Sequence, residues 1–178
     1  MKPSIEEHIL EIGKAVAGIG ESLETIASKL FEASENGSTI WVLGNGGSMA
    51  VAQHFVQDML KSARIRAQCI NDSSVLTAYA NDHAFEYVFY APLEILRRVG
   101  DPIVIFSCSG KSRNYIEFVS QNSSPLFAVV GMDGGFLLEK ADDVIHIKSE
   151  NYAVCEVCFQ IVADMMISAM KRMGAKNV

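Results

Sequence analysis

Several features are scarce in this 178-residue chain, and each scarcity excludes a class of protein. No apolar run approaches the roughly 18 residues of a membrane span, and the opening MKPSIEEHILEIGK holds no apolar block of the signal-peptide kind. Cysteine is sparse. Cys69, Cys108, Cys155 and Cys158 do not make the framework of a small secreted scaffold, so free thiols and a cytoplasmic location are expected. Basic side chains are outnumbered 15 to 21, giving a net charge of −6 and no excess for a nucleic-acid partner. Internal repeats, low-complexity tracts and linkers are missing. With 49% hydrophobic and 20% charged residues, a single domain with a sizeable core is expected, and disorder is not.

The first thirty-odd residues read as helix. Ile5, Ile9, Ile12, Val16, Ile19, Leu23, Ile26 and Leu30 alternate in steps of four and three, an apolar seam of heptad period. Gly18 and Gly20 interrupt it at a cost of about 1 kcal/mol each relative to Ala, so two helices are expected. A bundle shared between subunits explains the seam, and so does an amphipathic helix packing on its own domain.

Beyond residue 39 short apolar runs alternate with helical stretches. The runs are 39–43, 67–70, 103–106, 126–130 and 144–147. Helical stretches lie near 47–61, 73–80, 84–98, 112–121, 134–140 and 152–173. Continuously apolar runs joined by helical crossovers are the mark of buried parallel strands. The chain is therefore expected to be α/β, with a five-stranded, mostly parallel sheet covered by helices on both faces.

In such a sheet, ligands sit beyond the carboxyl ends of the strands, and two of those ends are rich in small polar residues. The first is Gly44-Asn45-Gly46-Gly47-Ser48. Its glycines let backbone N–H groups approach an anion at a helix N-terminus, but Met49 stands where a dinucleotide fingerprint needs glycine. The second is Ser107-Cys108-Ser109-Gly110-Lys111-Ser112. It imitates the end of a P-loop, yet Ile105 occupies the position of that motif's first glycine. What remains is three hydroxyls around a glycine at the mouth of a helix, able to wrap a phosphate monoester without much positive charge. A serine-rich N-cap explains either turn alone. Two at corresponding places in one sheet favour a ligand site.

These residues in this order carry a resemblance: the GNGGS turn, a following helix with Gln53-His54-Phe55, then Ala80-Asn81-Asp82, then Ser107–Ser112. Together they resemble the sugar isomerase (SIS) domain and, within it, the bacterial phosphoheptose isomerases. The resemblance spans nearly the whole chain. It implies a five-stranded α/β/α sandwich over residues 37–178, with residues 1–36 as a helical arm that bundles a homotetramer, and active sites at subunit interfaces. It implies a sugar-phosphate ligand of the heptose 7-phosphate class. Ser107, Ser109 and Ser112 match the phosphate-holding serines; Asn45, Gly46, Gly47 and Ser48 match the first ligand turn; Asn81 and Asp82 match a substrate-contacting pair. Cys108 stands where a threonine is common.

Aldose–ketose isomerisation moves a proton between C1 and C2 and needs a base, an acid for the oxygens and often a polarising cation. The resemblance implies His54 and Asp58 for this role, four apart on one helix face, with Asp58 one methylene shorter than the family's glutamate. On the last helix, Glu156 aligns with a Gln-Glu pair of the family, which puts Cys155 at the glutamine and Ala163 at the histidine. No histidine follows His146. Two readings result. In one, an altered isomerase uses His54, Asp58 and Cys155 as a rearranged zinc site, thiolate being a good zinc ligand. In the other, a phosphosugar-binding or regulatory protein binds without isomerising, and Cys155 and Cys158 are small buried hydrophobes.

Overall fold

In chain order the elements are α1 (Ile5–Val16), α2 (Gly20–Glu35), β1 (Ile40–Gly44), α3 (Gly47–Ser62), β2 (Ala67–Gln68), α4 (Ser73–Asp82), α5 (Tyr87–Leu96), β3 (Ile103–Ser107), α6 (Arg113–Gln121), β4 (Leu126–Val130), α7 (Gly135–Lys140), β5 (Asp143–His146) and α8 (Tyr152–Met173). The structure is a computed structural model and describes residues 4–175. The five strands form one parallel sheet in the order β2-β1-β3-β4-β5. β1, β3 and β4 are buried at every residue, which is why their sequences lack alternation. β2 is shorter than the 67–70 run: only Ala67 and Gln68 pair, along the edge of β1.

Successive side chains of each strand divide two cores. Ile40, Val42, Val104, Phe106, Phe127 and Val129 face α2, α3 and α8. Trp41, Leu43, Ile103, Ile105, Ala128 and Val130 face α5, α6 and α7. The expected three-layer sandwich follows from that alternation.

The N-terminal seam splits in two. Ser4 and Glu7 form a reciprocal capping box that starts α1. Gly18 takes a positive φ of 84° between α1 and α2, a conformation open to glycine, and the helix breaks there. Leu23, Ile26 and Leu30 of α2 are core residues of the chain itself, so this half of the seam packs on its own domain. α1 buries none of its residues, and Ile5 and Ile9 are 76% and 63% exposed.

Tyr152–Met173, α8, holds no unbroken apolar run of membrane-span length but is long and apolar enough in overall composition to cross a membrane. Its apolarity has a local reason: it packs against α1, α2 and α3, and Val154, Phe159, Val162, Met166 and Met170 are buried there.

At the amino ends of the strands, buried Asp101 accepts from Thr39 N–H (3.0 Å), Arg98 N–H (2.9 Å) and Trp41 Nε1 (3.3 Å). It joins the start of β1 to the turn before β3. Asp101→Ala strands three donors, two of them on buried residues, and is expected to lower stability by about 3 kcal/mol. A urea titration reading the fall in midpoint at unchanged slope checks this.

Candidate functional site

β1 and β3 are neighbours, but the helices that follow them leave for opposite faces of the sheet. α3 packs on the core with α8, and α6 on the other core. A crevice opens between the two turns, at the strand order's point of reversal. It is a cleft of about 130 Å³ lined by Asn45, Ser48, Ser107, Cys108, Ser109, Ser112, Tyr115, Tyr152 and Glu156. The two small-residue turns singled out in the sequence therefore meet.

Each turn is built for close approach. After β1, Ser48 N–H donates to Asn45 O and Met49 N–H to Gly46 O, curling the chain directly into α3. A Cβ on Gly47 would overlap the Glu156 carboxylate, so α8 and the first turn touch through that glycine. After β3, Gly110 has φ 62°, and a Cβ there would strike the carbonyl of Gly134. The second turn thus rests on the β4–α7 loop, where Leu137 N–H also donates to Gly110 O.

The hydroxyls differ in freedom. Ser107 Oγ accepts from Gly110 N–H (3.0 Å) and Ser109 Oγ from Lys111 N–H (3.3 Å), so both keep their own protons to donate. Ser112 occupies the N-cap of α6 without making a side-chain cap bond, leaving its hydroxyl free at the cleft it lines. Lys111, beside these serines, is exposed and paired with Asp133, whose carboxyl is held below its ordinary range mainly by that hydrogen bond. The cleft is thus polar without a cation aimed into it.

Three contacts tie the turns together, the first of them a hydrogen bond between the Ser48 and Cys108 side chains. Asn45 and the fully buried Asn114 form a reciprocal amide couple, Nδ2 to Oδ1 in both directions at 3.0 and 2.9 Å. Tyr115, also buried, donates its hydroxyl to Phe106 O at 3.3 Å and is hydrogen-bonded by the Asn45 backbone; burial drives its pKa well above the usual phenol range.

Comparison with known proteins agrees with this architecture. Residues 7–134 match the SIS domain family. The chain belongs to that family. It is 33% identical over 140 residues to the phosphoheptose isomerase of Campylobacter concisus, covering 75% of this chain and 74% of the relative. It is 34% identical over 160 residues to a probable phosphoheptose isomerase of Thermoplasma acidophilum, covering 84% and 87%. The solved structure of phosphoheptose isomerase GmhA from Neisseria gonorrhoeae superposes with a TM-score of 0.87 at 28% identity, over 94% of both chains.

Within this SIS chain, four residues expected at the site lie elsewhere. His54 and Asp58 on α3 are not part of the cleft lining; they pair Nε2 to Oδ2 at 3.1 Å, with the His54 side chain 52% exposed. Asn81 and Asp82 sit at the exposed end of α4, where Asn81 Nδ2 donates to Asp82 Oδ1 at 2.8 Å; Asp82 lines a separate hollow with Tyr79 and His83. α4 buries no residue, so nothing in the chain draws its end toward the serines.

The rearranged zinc site is not assembled. Cys155 is fully buried beneath Gly131 and hydrogen-bonded to Ser149 O (3.3 Å) and to Cys108, and it forms no cluster with His54 and Asp58. Burial holds its thiol protonated. Among the described residues no group of three His, Cys, Asp or Glu side chains converges as a metal site. The donors present in one protomer do not fit zinc. Ala163, at the family's histidine position, is core. His146, on β5, is bonded through Nε2 to Met132 O at 2.7 Å.

Three cleft residues escaped the sequence reading: Tyr115, Tyr152 and the lining role of Glu156. So did Asn114, although a polar residue on the apolar face of α6, beside Tyr115 and Phe118, was a usable signal of a buried hydrogen bond.

Cys108 lines the cleft as a neutral thiol, pushed up to about 12 chiefly by burial, then by the neighbouring Cys155 and Glu156. Cys158 is raised to about 11, also chiefly by burial. At pH 8 only about one Cys108 in ten thousand is thiolate. Iodoacetamide is expected to label native Cys108 at least about 100-fold more slowly than an unfolded cysteine. Half-buried Cys69 should react first, and the rate at Cys108 should rise with pH through 10; peptide mass mapping reads both.

Proposed function

We propose that this chain binds a sugar phosphate in the serine cleft and interconverts its aldose and ketose forms, with sedoheptulose 7-phosphate and the related heptose 7-phosphate as the substrate class. The observation that carries the proposal is the convergence of four serine hydroxyls from two helix-opening turns with one carboxylate, Glu156, on a shared cleft. The relatedness to phosphoheptose isomerases supports the same reading. Ser48, Ser107, Ser109 and Ser112 donate to phosphate oxygens, and the N-termini of α3 and α6 supply the compensating positive potential.

Glu156 is the base of this proposal. It takes the proton from C2 of the aldose while the C1 oxygen gains one, giving an enediol; returning the proton to C1 and releasing the C2 hydroxyl proton yields the ketose. Tyr152, on the same helix stripe and also lining the cleft, offers a hydroxyl to the sugar oxygens. His54, exposed on α3, and the partly exposed Asp58 are available to a site completed by a second protomer, and the exposed Ile5 and Ile9 of α1 fit the homotetramer that such a site needs. No step here is routed through zinc.

One observation favours the second reading, a sugar-phosphate binder that does not isomerise: Ala163 leaves α8 without the histidine expected from the family. Purified protein with sedoheptulose 7-phosphate separates the two. Turnover is expected; Glu156→Gln should lower kcat by about 100-fold or more with KM little changed. Ser109→Ala should raise KM by about tenfold. Binding without turnover in the wild type selects the second reading. Neither binding nor turnover overturns both.

The tetramer has its own check. Ile5→Glu combined with Ile9→Glu should reduce the mass seen by light scattering, because two charges would replace the apolar seam of α1 without touching the core. An unchanged mass refutes assembly through α1.

A further inference from the structure

We propose that Asn114 is a positioning residue that fixes the two ligand turns relative to one another through its amide couple with Asn45. In binding terms this rests on the sugar-phosphate reading of the cleft, but the mechanical part does not.

The two turns lead into helices on opposite faces of the sheet; between them Cys108 of the second turn sits in the core that α3 packs on, Met49 touches both cores, and the Ser48 and Cys108 side chains are hydrogen-bonded. Backbone pairing of β1 with β3 ends at Gly44 and Phe106, before both turns. Past that point the first turn is held to α6 by two links. One is the Asn45–Asn114 couple; the other is the Tyr115 hydroxyl, which meets the Asn45 backbone. Asn114 has no exposed surface. Its side chain offers the cleft nothing directly, since it is absent from the lining, whereas Asn45 and Ser48 are part of it. A buried amide is costly to leave unpaired, so this one enforces the register in which both donors and both acceptors are met. A reciprocal amide pair is also directional: turning over either amide alone sets like against like, while turning both restores the pair.

That property gives a distinctive test. Aspartate at position 114 is nearly isosteric. Protonated, it rebuilds a reciprocal pair with Asn45, its O–H donating to Oδ1 and its carbonyl accepting from Nδ2. Ionised, it places an acceptor against Asn45 Oδ1 and a negative charge behind an anion cleft. Burial raises its pKa, so the exchange falls in the accessible pH range. The native titratable groups near the couple are Tyr115 beside it on α6, Cys108 after β3 and Glu156 on α8; Arg113 is exposed and paired with Glu86. All are shared by wild type and variant, as is the titration of the ligand, and they cancel in a ratio taken at each pH.

Sedoheptulose 7-phosphate binding is measured by calorimetry for wild type, Asn114→Asp and Asn114→Leu from pH 5 to 8. For Asn114→Asp the ratio of Kd to wild type is expected to be about 30-fold or more at pH 8 and to fall within about threefold at pH 5. For Asn114→Leu it should stay raised and flat. Equal, pH-independent ratios for the two variants, or no loss in either, overturn the proposal. Ligand-free hydrogen exchange of Asn114→Leu provides the mechanical arm. Exchange is expected to quicken about tenfold across residues 45–50, more than sixty positions away in sequence, as well as at the start of α6. Faster exchange confined to α6 overturns the proposal even if the wild type binds no sugar phosphate, and failure of wild-type binding alone rejects only the ligand reading.

Discussion

Everything at this site depends on one constraint: β1 and β3 are adjacent, and their following helices diverge to opposite faces. Parallel neighbours joined by right-handed crossovers leave a gap only where the crossover direction reverses. The same divergence that opens the cleft sends the two following helices to separate cores, bridged near the rims by Met49 and Cys108. Cross-rim polar bonds add to that packing, which gives a role to a fully buried asparagine and a buried tyrosine hydroxyl within the first turn of α6. Elsewhere around the sheet, ordinary apolar burial does this work.

The second consequence is electrostatic. An anion entering a chain of net charge −6 would be expected to need cations, yet the one lysine beside the serines is paired with Asp133 on the surface. The alternative is fixed dipoles. Hydroxyl O–H groups and helix-terminal N–H groups bring no counter-charge that must itself be desolvated, and they lose no side-chain freedom beyond a single rotor. Such a site trades long-range attraction for geometry. Its affinity is therefore sensitive to the gap between the turns, and the residues that set that gap matter as much as those that touch the ligand.

The sheet was legible because its information is local. Continuous apolar runs mark buried strands, glycine and serine clusters mark the turns after β1 and β3, and all five runs became strands, although β2 kept only the two residues that reach β1. The heptad seam was ambiguous for a physical reason: the same spacing serves a helix on its own core, as in α2, and an exposed one, as in α1. His54 with Asp58, and Asn81 with Asp82, were legible only as motifs. Spacing along a helix fixes mutual geometry, and the 3.1 Å His54–Asp58 pair honours it, but it says nothing about which way that face points. Asn114 was hidden because its partner lies 69 positions away and neither residue is unusual by itself.

Helix geometry also explains why α8 keeps part of the expected chemistry and loses the rest. Residues 152, 156 and 163 fall on one stripe of the helix, within about 40° of one another, at 100° per residue. Tyr152 and Glu156 are on the first turns, where the stripe faces the cleft. Position 163 lies about 10 Å further along, where the same stripe has passed into the core between α8 and its neighbours. A histidine there would need a polar partner or a channel to the cleft, and its ring would have to displace packed apolar side chains. Alanine needs neither. Cys155, one residue before Glu156 and so rotated by 100°, is turned under Gly131 in the same way. The residues at 155 and 163 are thus consistent with each other: both are small and both face the core, Cys155 within the first turn of α8 and Ala163 further along it. They leave Glu156 as the carboxylate that lines the serine cleft.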